Sequence, residues 1–438
     1  MRHKVRCGQL KSNGLRFYTQ YDSGSTNEMA VICIKAGSLH DPAGLHGLAH
    51  LVEHVIFCDR SRYTEEDVAL LFARTMGGPD DLRGIYTMHA VTAYGPIGPI
   101  RKPHNRKLFP VFSEIVRVPS LADETFSSER AAVIAELYLR DKEVIGVRLF
   151  EELYRSVFPE SFAAYHPIIG YSDEICSATL KDIEYFIHKY YVPENTFVVF
   201  FGPKHEEARH LIENELGGWI SERTNNTGRR NGLSKQQIKG GFRLLSESHS
   251  KIIADPAAYQ YHVAVGFPTE NYMSEDAEAL DVLSRILSER MYHRLRVESH
   301  ELEKGVYRTP VDTYRSFAHG IFSFYFATSD RQNSREGINI FHEECQRLCV
   351  ELVSRVELEA WVGYMCDYEF KNVFSISPQE LAQDVIISVA NGDSDLKKLH
   401  ARGDKLKSFL LRNGRQKLRD VARQYLSGHS ATVIFEPK

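Results

Sequence analysis

The sequence predicts an α+β fold made of two similar domains, each a mostly antiparallel sheet packed with helices. Three observations predict it. Strand-like apolar runs and helical patterns are mixed along the chain, a polar Gly- and Asn-rich stretch interrupts them near the middle, and the patterns on its two sides look alike. At 438 residues, 43% hydrophobic and 26% charged, the chain can bury a large core but exceeds the usual size of one domain.

In chain order, the first strand candidate is MAVICIKA (Met29 to Ala36), an apolar run rich in β-formers. A helix follows over Gly47 to Cys58, then a long one over Glu124 to Lys142, where Ala132, Val133 and Ala135 predict partial burial. A helix over Leu180 to Tyr190 and the strand NTFVVFFG (Asn195 to Gly202) close the half. The stretch SERTNNTGRRNGLSKQQ (Ser221 to Gln237) reads as a linker, giving domains at 1–220 and 238–438. The second half offers strands over Tyr261 to Phe267, Gly320 to Ala327 and Ala431 to Phe435, with helices over Asp276 to Arg290 and Glu357 to Lys371. Sliding its first helix onto GLAHLVEHVI by matching Leu280 to Leu48 sets Val282 against His50, Arg285 against Glu53 and Ile286 against His54. The polar trio occurs only in the first copy.

Composition excludes several classes. A net charge of -4 lacks the basic footprint that nucleic acid or an anionic membrane surface demands, so neither is an expected partner. The start MRHKVRCGQLKSNG has no apolar signal core, and no run approaches the roughly 20 apolar residues that cross a bilayer. A cytoplasmic protein is expected. Seven scattered cysteines without a C-x-x-C pair suit a reducing compartment and argue against a thiolate metal site. GGPDDLRG (Gly77 to Gly84) lacks a phosphate-loop lysine, and IRKPHNRK (Ile100 to Lys107) reads as a solvated charged loop.

The chemistry concentrates in HGLAHLVEHVIF, from His46 to Phe57. On a helix, His50 and His54 point the same way, with Glu53 on the adjoining surface. Two neutral imidazoles at this spacing can chelate one Zn²⁺, while the carboxylate beside them takes a proton from the water that the metal activates. H-x-x-E-H is an inverted metallopeptidase motif. With 19 histidines in the chain, about one pair four apart arises by chance, and His46 to His50 is such a pair. The intervening glutamate makes the motif far rarer, and an unpaired polar cluster among apolar neighbours is costly to bury. A third ligand must come from elsewhere; in ETFSSERAAVIAELYLRDKE, Glu129 and Glu136 are two turns apart and share a face. Composition does not choose between them.

GLHGLAHLVEHVIF, preceded by AGS and followed by SERAAVIAEL, resembles the pitrilysin or insulinase family of zinc metallopeptidases. The resemblance extends through TAYG near Tyr94 and His166 to Gly202 into the long helix from Leu358, and so covers nearly the whole chain. It implies that His50, His54 and Glu136 hold one zinc ion per chain, that Glu53 is the general base, and that Glu129 supports the site from behind. It implies endopeptidase action on short or unfolded peptides, and a short two-domain, bacterial-type subfamily that works as dimers, either two copies of one chain or a zinc-bearing chain with a homologous zinc-less partner. A noncatalytic core or assembly protein, as some relatives of the fold are, is the remaining alternative, and the complete set of His50, Glu53, His54 and Glu136 counts against it. The facing domain of such proteins supplies an arginine and a tyrosine to the substrate and its oxyanion; here these fall on Arg296 and Tyr307, a few residues further apart than the pattern. The edge strand that receives substrate falls on RGIYTMHAVTAYG, giving Gly84, Thr87 and Tyr94 as substrate-binding positions. Gly84 and Ile85 stand where the family has an Asn-Ala pair.

Overall fold

The computed structural model describes residues 5–21, 27–58, 85–95, 100–101, 105–117, 119, 121–143, 145–159, 166–202, 205–220, 244–297, 310–316, 319–371, 378–411 and 413–438. The first half runs β1 (Arg6–Gln9), β2 (Arg16–Tyr21), β3 (Asn27–Ile34), a 3₁₀ turn (Ser38–His40), α1 (Leu48–Cys58), β4 (Ile85–Thr87), β5 (Thr92–Tyr94), β6 (Ile100–Arg101), α2 (Asn105–Arg117) and α3 (Asp123–Glu143). It continues with α4 (Ile145–Val157), α5 (Ser172–Ser177), α6 (Leu180–Tyr190), β7 (Thr196–Gly202) and α7 (His205–Leu216). The second half runs β8 (His249–Asp255), β9 (Tyr261–Thr269), α8 (Ala277–Tyr292) with a π-helical turn (His293–Val297), β10 (Val311–Arg315) and β11 (Gly320–Thr328). It ends with α9 (Arg331–Val350), α10 (Arg355–Lys371), α11 (Pro378–Ala390), α12 (Lys397–Ser408), α13 (Gly414–Leu426) and β12 (Ala431–Pro437). All five predicted strands and all five predicted helices are present within a few residues of their expected bounds. No described helix is long and apolar enough to cross a membrane.

The architecture is α+β, with two sheets. The first has the order β1-β2-β7-β3-β5-β4, with β6 on β3, and the second the order β10-β11-β9-β12-β8. Read from the other edge, the second sheet repeats the inner order of the first: β8-β12-β9-β11-β10 stands for β2-β7-β3-β5-β4. The directions agree too, since β2 with β7 and β8 with β12 are the parallel pairs and the rest are antiparallel. In both copies the helix after the central strand, α1 or α8, contacts the edge strand β4 or β10. The weak likeness of the halves is therefore a likeness of topology.

The chain divides into two compact units that are not contiguous halves. One comprises residues 1–138, 166–234 and 375–396, the other 139–165, 235–374 and 397–438. The linker read at 221–237 falls outside the described residues. Each half lends a helix to the other unit. Helix α11 lies against β7 and β3, and Ser394 just after it accepts from the Tyr18 hydroxyl of β2 at 2.7 Å. Helix α4 lies against β9 and β12, with Leu153 fully buried there. This explains why TFVVFFG shows no alternation: every residue of β7 is buried, because both faces of the sheet are covered.

Helix α1 is apolar nearly all round, and Leu48, Leu51, Val52, Val55 and Ile56 sit in the first core with Phe186 and Tyr190 of α6. In α3 the buried positions are Phe126, Val133 and Leu137. Ala132 and Ala135, expected inside with Val133, are exposed, because the buried stripe follows the seven- and four-residue steps of one helix face and leaves them beside it.

Candidate metal centre

The loop before α1 fixes where the motif begins. Asp41 accepts from the Gly47 amide at 2.7 Å and the Ala49 amide at 2.8 Å, so a buried carboxylate caps a helix whose own first residues carry no capping side chain. Gly47 has φ +92°, and a Cβ there would lie 2.5 Å from the carbonyl oxygen of Ile169. Gly170 returns the contact, since its Cβ would lie 2.0 Å from the His46 carbonyl oxygen. His46 itself precedes the helix; its amide and its Nδ1 each stand 2.7 Å from one oxygen of Glu174. The chance pair His46 to His50 is thus resolved by the chain turning between them.

His50 and His54 project together, their ring centroids 4.7 Å apart. Glu136 of α3 meets both, with Oε2 at 3.7 Å from Nε2 of His50 and 3.5 Å from Nε2 of His54. Among the described residues these three form the one group of side chains able to hold a metal, their ligand atoms all within 4.8 Å of one another. Donors about 2.0–2.2 Å from a tetrahedral ion stand about 3.3–3.6 Å apart; the 3.5 Å separation from His54 lies in that range and the 3.7 Å separation from His50 just beyond it. Two imidazoles and one carboxylate also suit zinc and leave a coordination position open. Glu129 approaches Nδ1 of His54 at 3.2 Å and so selects the tautomer that presents Nε2. Burial pushes the His54 pKa down, but its donation toward the carboxylates of Glu129 and Glu136, with the negative charges of Glu53 and Glu136, outweighs that and holds the imidazole up at about 9. In chemical terms the carboxylates of this cluster call for a cation.

Glu53 lies beside the group, buried, and among the described residues no lysine or arginine forms an ion pair with it. Burial raises its pKa to about 7, against a lowering contribution from the Thr87 hydroxyl, which donates to Oε2 at 2.7 Å, and from His54. Thr87 belongs to β4, the outermost strand on its side of the sheet among the described residues. Thr92 of β5 stands 3.4 Å from it and donates to the Ala36 carbonyl at 2.9 Å.

The other expected site positions fare differently. Tyr94 is not a substrate contact: its ring is fully buried, its hydroxyl shares a 2.7 Å hydrogen bond with Tyr191, and β5 is paired on both sides, so neither side chain nor backbone is accessible. Thr87, expected as a substrate-binding position, lies in the edge strand β4, and its hydroxyl donates to Glu53. Gly84 and Tyr307 lie outside the described residues. Arg296 is in the π-helical turn of the second unit, exposed, its guanidinium 5.5 Å from the Tyr292 ring centroid. In the same turn Arg294 pairs with Glu343 and the buried Glu344. Sequence reasoning missed the cap by Asp41, although an acidic residue just before an uncapped apolar helix is a legible signal, and the Thr87 to Glu53 bond, which has none.

A profile described as Insulinase (Peptidase family M16) matches residues 16–163, and one described as Peptidase M16 inactive domain matches residues 177–362. An uncharacterized zinc protease of Rickettsia bellii is 26% identical over 414 residues, which is 90% of this chain and 94% of the relative. Zinc protease PqqE of Helicobacter pylori is 26% identical over 63% of this chain and 60% of its own length. The human mitochondrial-processing peptidase subunit alpha is 24% identical over 63% of this chain and 52% of its own length. Among solved structures, a protease from Helicobacter pylori superposes with a TM-score of 0.83 at 19% identity, covering 100% of both chains. At that identity the superposition shows the fold.

Proposed function

This chain belongs to the insulinase family of peptidases, M16, and on that premise we propose that it is a zinc-dependent endopeptidase. The observation that carries the reading is the convergence of His50, His54 and Glu136 with the buried carboxyl of Glu53 next to them. His50, His54 and Glu136 hold one zinc ion per chain, and Glu129 keeps His54 in the ligating tautomer. Zinc in such a site acts as a Lewis acid toward a carbonyl oxygen and makes water acidic near neutral pH. Glu53 removes a proton from the attacking water and delivers it to the departing amide nitrogen. A carboxyl whose pKa burial brings to about 7 is suited to both halves of that transfer. The peptide adds to β4, the outermost strand on its side of the sheet among the described residues, by backbone hydrogen bonds, which suits unfolded or short substrates in extended form. Arg296 and Tyr307 are proposed to bind substrate and developing negative charge.

A second reading keeps the zinc site but makes activity depend on a homologous zinc-less partner. It is favoured by relatives named mitochondrial-processing peptidase subunit alpha, from Homo sapiens, and subunit beta, from Blastocladiella emersonii. Purified chain, assayed for zinc, mass in solution and cleavage of quenched peptides, separates the two. Expected are about one zinc per chain, cleavage abolished by chelator, and Glu53→Gln with zinc retained and rate reduced at least about 10²-fold. Zinc without cleavage until a homologous partner is added supports the second reading; a chain that takes up no zinc overturns both.

A further inference from the structure

We propose that Thr87 is a positioning residue for Glu53, holding one carboxylate oxygen so that the other is presented for proton transfer, and linking that orientation to strand β4. The inference rests on the peptidase reading above. An ionised carboxylate only accepts hydrogen bonds, so in the 2.7 Å contact the Thr87 hydroxyl is the donor and Oε2 of Glu53 the acceptor. The neighbouring hydroxyl does not compete, because Thr92 commits its own proton to the Ala36 carbonyl. Both Thr87 and Glu53 are buried, at 7% and 6% exposure, so water is a poor substitute for the bond.

The second unit makes the same kind of clasp with a different electrostatic outcome. There Thr313 of the edge strand β10 donates to Asp281 of α8 at 2.6 Å, one helix turn earlier than the position matching Glu53. Asp281 is also held by Arg315 at 2.6 Å and approached by Arg402 at 3.6 Å. A carboxylate fixed by two guanidiniums is a structural anchor. Among the described residues Glu53 receives the hydroxyl clasp and no arginine, so a single hydrogen bond fixes one of its oxygens and the other is not held by a guanidinium. The strand that carries Thr87 is also the edge proposed to receive the peptide, so a shift of β4 on substrate addition is transmitted to the base by a single hydrogen bond.

The test compares Thr87→Val, which keeps the shape and removes the donor, with Thr87→Ser, which keeps the donor. Expected for the valine variant is kcat reduced by about tenfold or more with KM within about twofold and zinc content unchanged, and for the serine variant kcat within about threefold of the parent. A valine variant with unaltered kcat, or a serine variant as impaired as valine, overturns the proposal. Crystal structures of the parent and the valine variant give a readout apart from activity: the Glu53 carboxyl is expected to leave its place, and finding it unmoved overturns the proposal even if the parent chain cleaves nothing. An inactive parent would count against the peptidase reading alone. If the valine variant does not fold, Thr87→Ala against Thr87→Ser carries the same comparison.

Discussion

At the residue scale, the contrast between Glu53 and Asp281 shows how one fold makes a reactive carboxyl and an inert one. Burial pushes both upward, but Arg315 and Arg402 bring Asp281 below its ordinary value, whereas Glu53 rises to about 7. His54 carries a pH signature of its own. Its folded pKa of about 9 lies above the ordinary 6.5, so its stabilising contribution in the zinc-free protein is fully present below 6.5 and is lost as pH rises through 9. The unfolding midpoint of the zinc-free chain should therefore fall across that interval, and thermal melts of His54→Gln should show a flatter profile. Zinc affinity should move the opposite way, rising with pH over the same range because the imidazole must shed its proton to bind. Replacing Glu129 with Ala should weaken zinc about 10–100-fold in a chelator competition, with the fold intact. An unchanged affinity would show that the 3.2 Å contact with His54 does not govern the ligand.

At the scale of elements, the site depends on where α1 starts. Asp41, Gly47 and Gly170 set that start, and Asp41→Ala should cost about 1–2 kcal/mol of stability by leaving two amides of the first turn without their acceptor. Denaturant melts measure it, and a cost near zero would mean that another group caps the helix. The elements read from sequence are those with dense apolar patterns: β3, β7, β9, β11 and β12 are central in their sheets, and α1 and α6 are buried against them. Edge strands escaped. In β8 most side chains are at least partly exposed, and β1 is exposed along most of its length, so neither offers the apolar run by which a strand is recognised. Helix α9 was legible but unread, for Asp330 caps it by accepting from the Gln332 and Asn333 amides. Thr87 illustrates the other limit: a threonine in a short edge strand has no pattern that reveals which carboxylate it meets.

At the scale of the whole molecule, the chain contains its own control experiment. Helix α8 fills the places of His50 and His54 with Val282 and Ile286, both buried in the second core. His50→Val combined with His54→Ile should give a folded chain without zinc whose melting point no longer responds to chelator. The zinc-free stability of this variant should lose the pH dependence that His54 gives the parent, and below pH 6.5 it should fall beneath the parent's, since Glu129 and Glu136 are left without the imidazolium. A large loss of stability in calorimetry would argue that the histidines carry the fold as well as the metal. The exchange of α4 and α11 between the units predicts that residues 1–234 alone, lacking the helix that covers β7 and β3, will not unfold cooperatively, and that adding residues 235–438 restores a sharp transition. The sequence by itself determined the metal-binding helix and the doubling of the fold, because i to i+4 spacing and apolar periodicity are local properties written directly in residue order. Tertiary structure alone decided that Glu136 meets both imidazoles while Glu129 meets the back of one, that His46 belongs to Glu174, that Thr87 clasps Glu53, and that each half lends the other a helix. Those choices depend on how helices and strands distant in the chain cross and pack, and no spacing along the sequence encodes that.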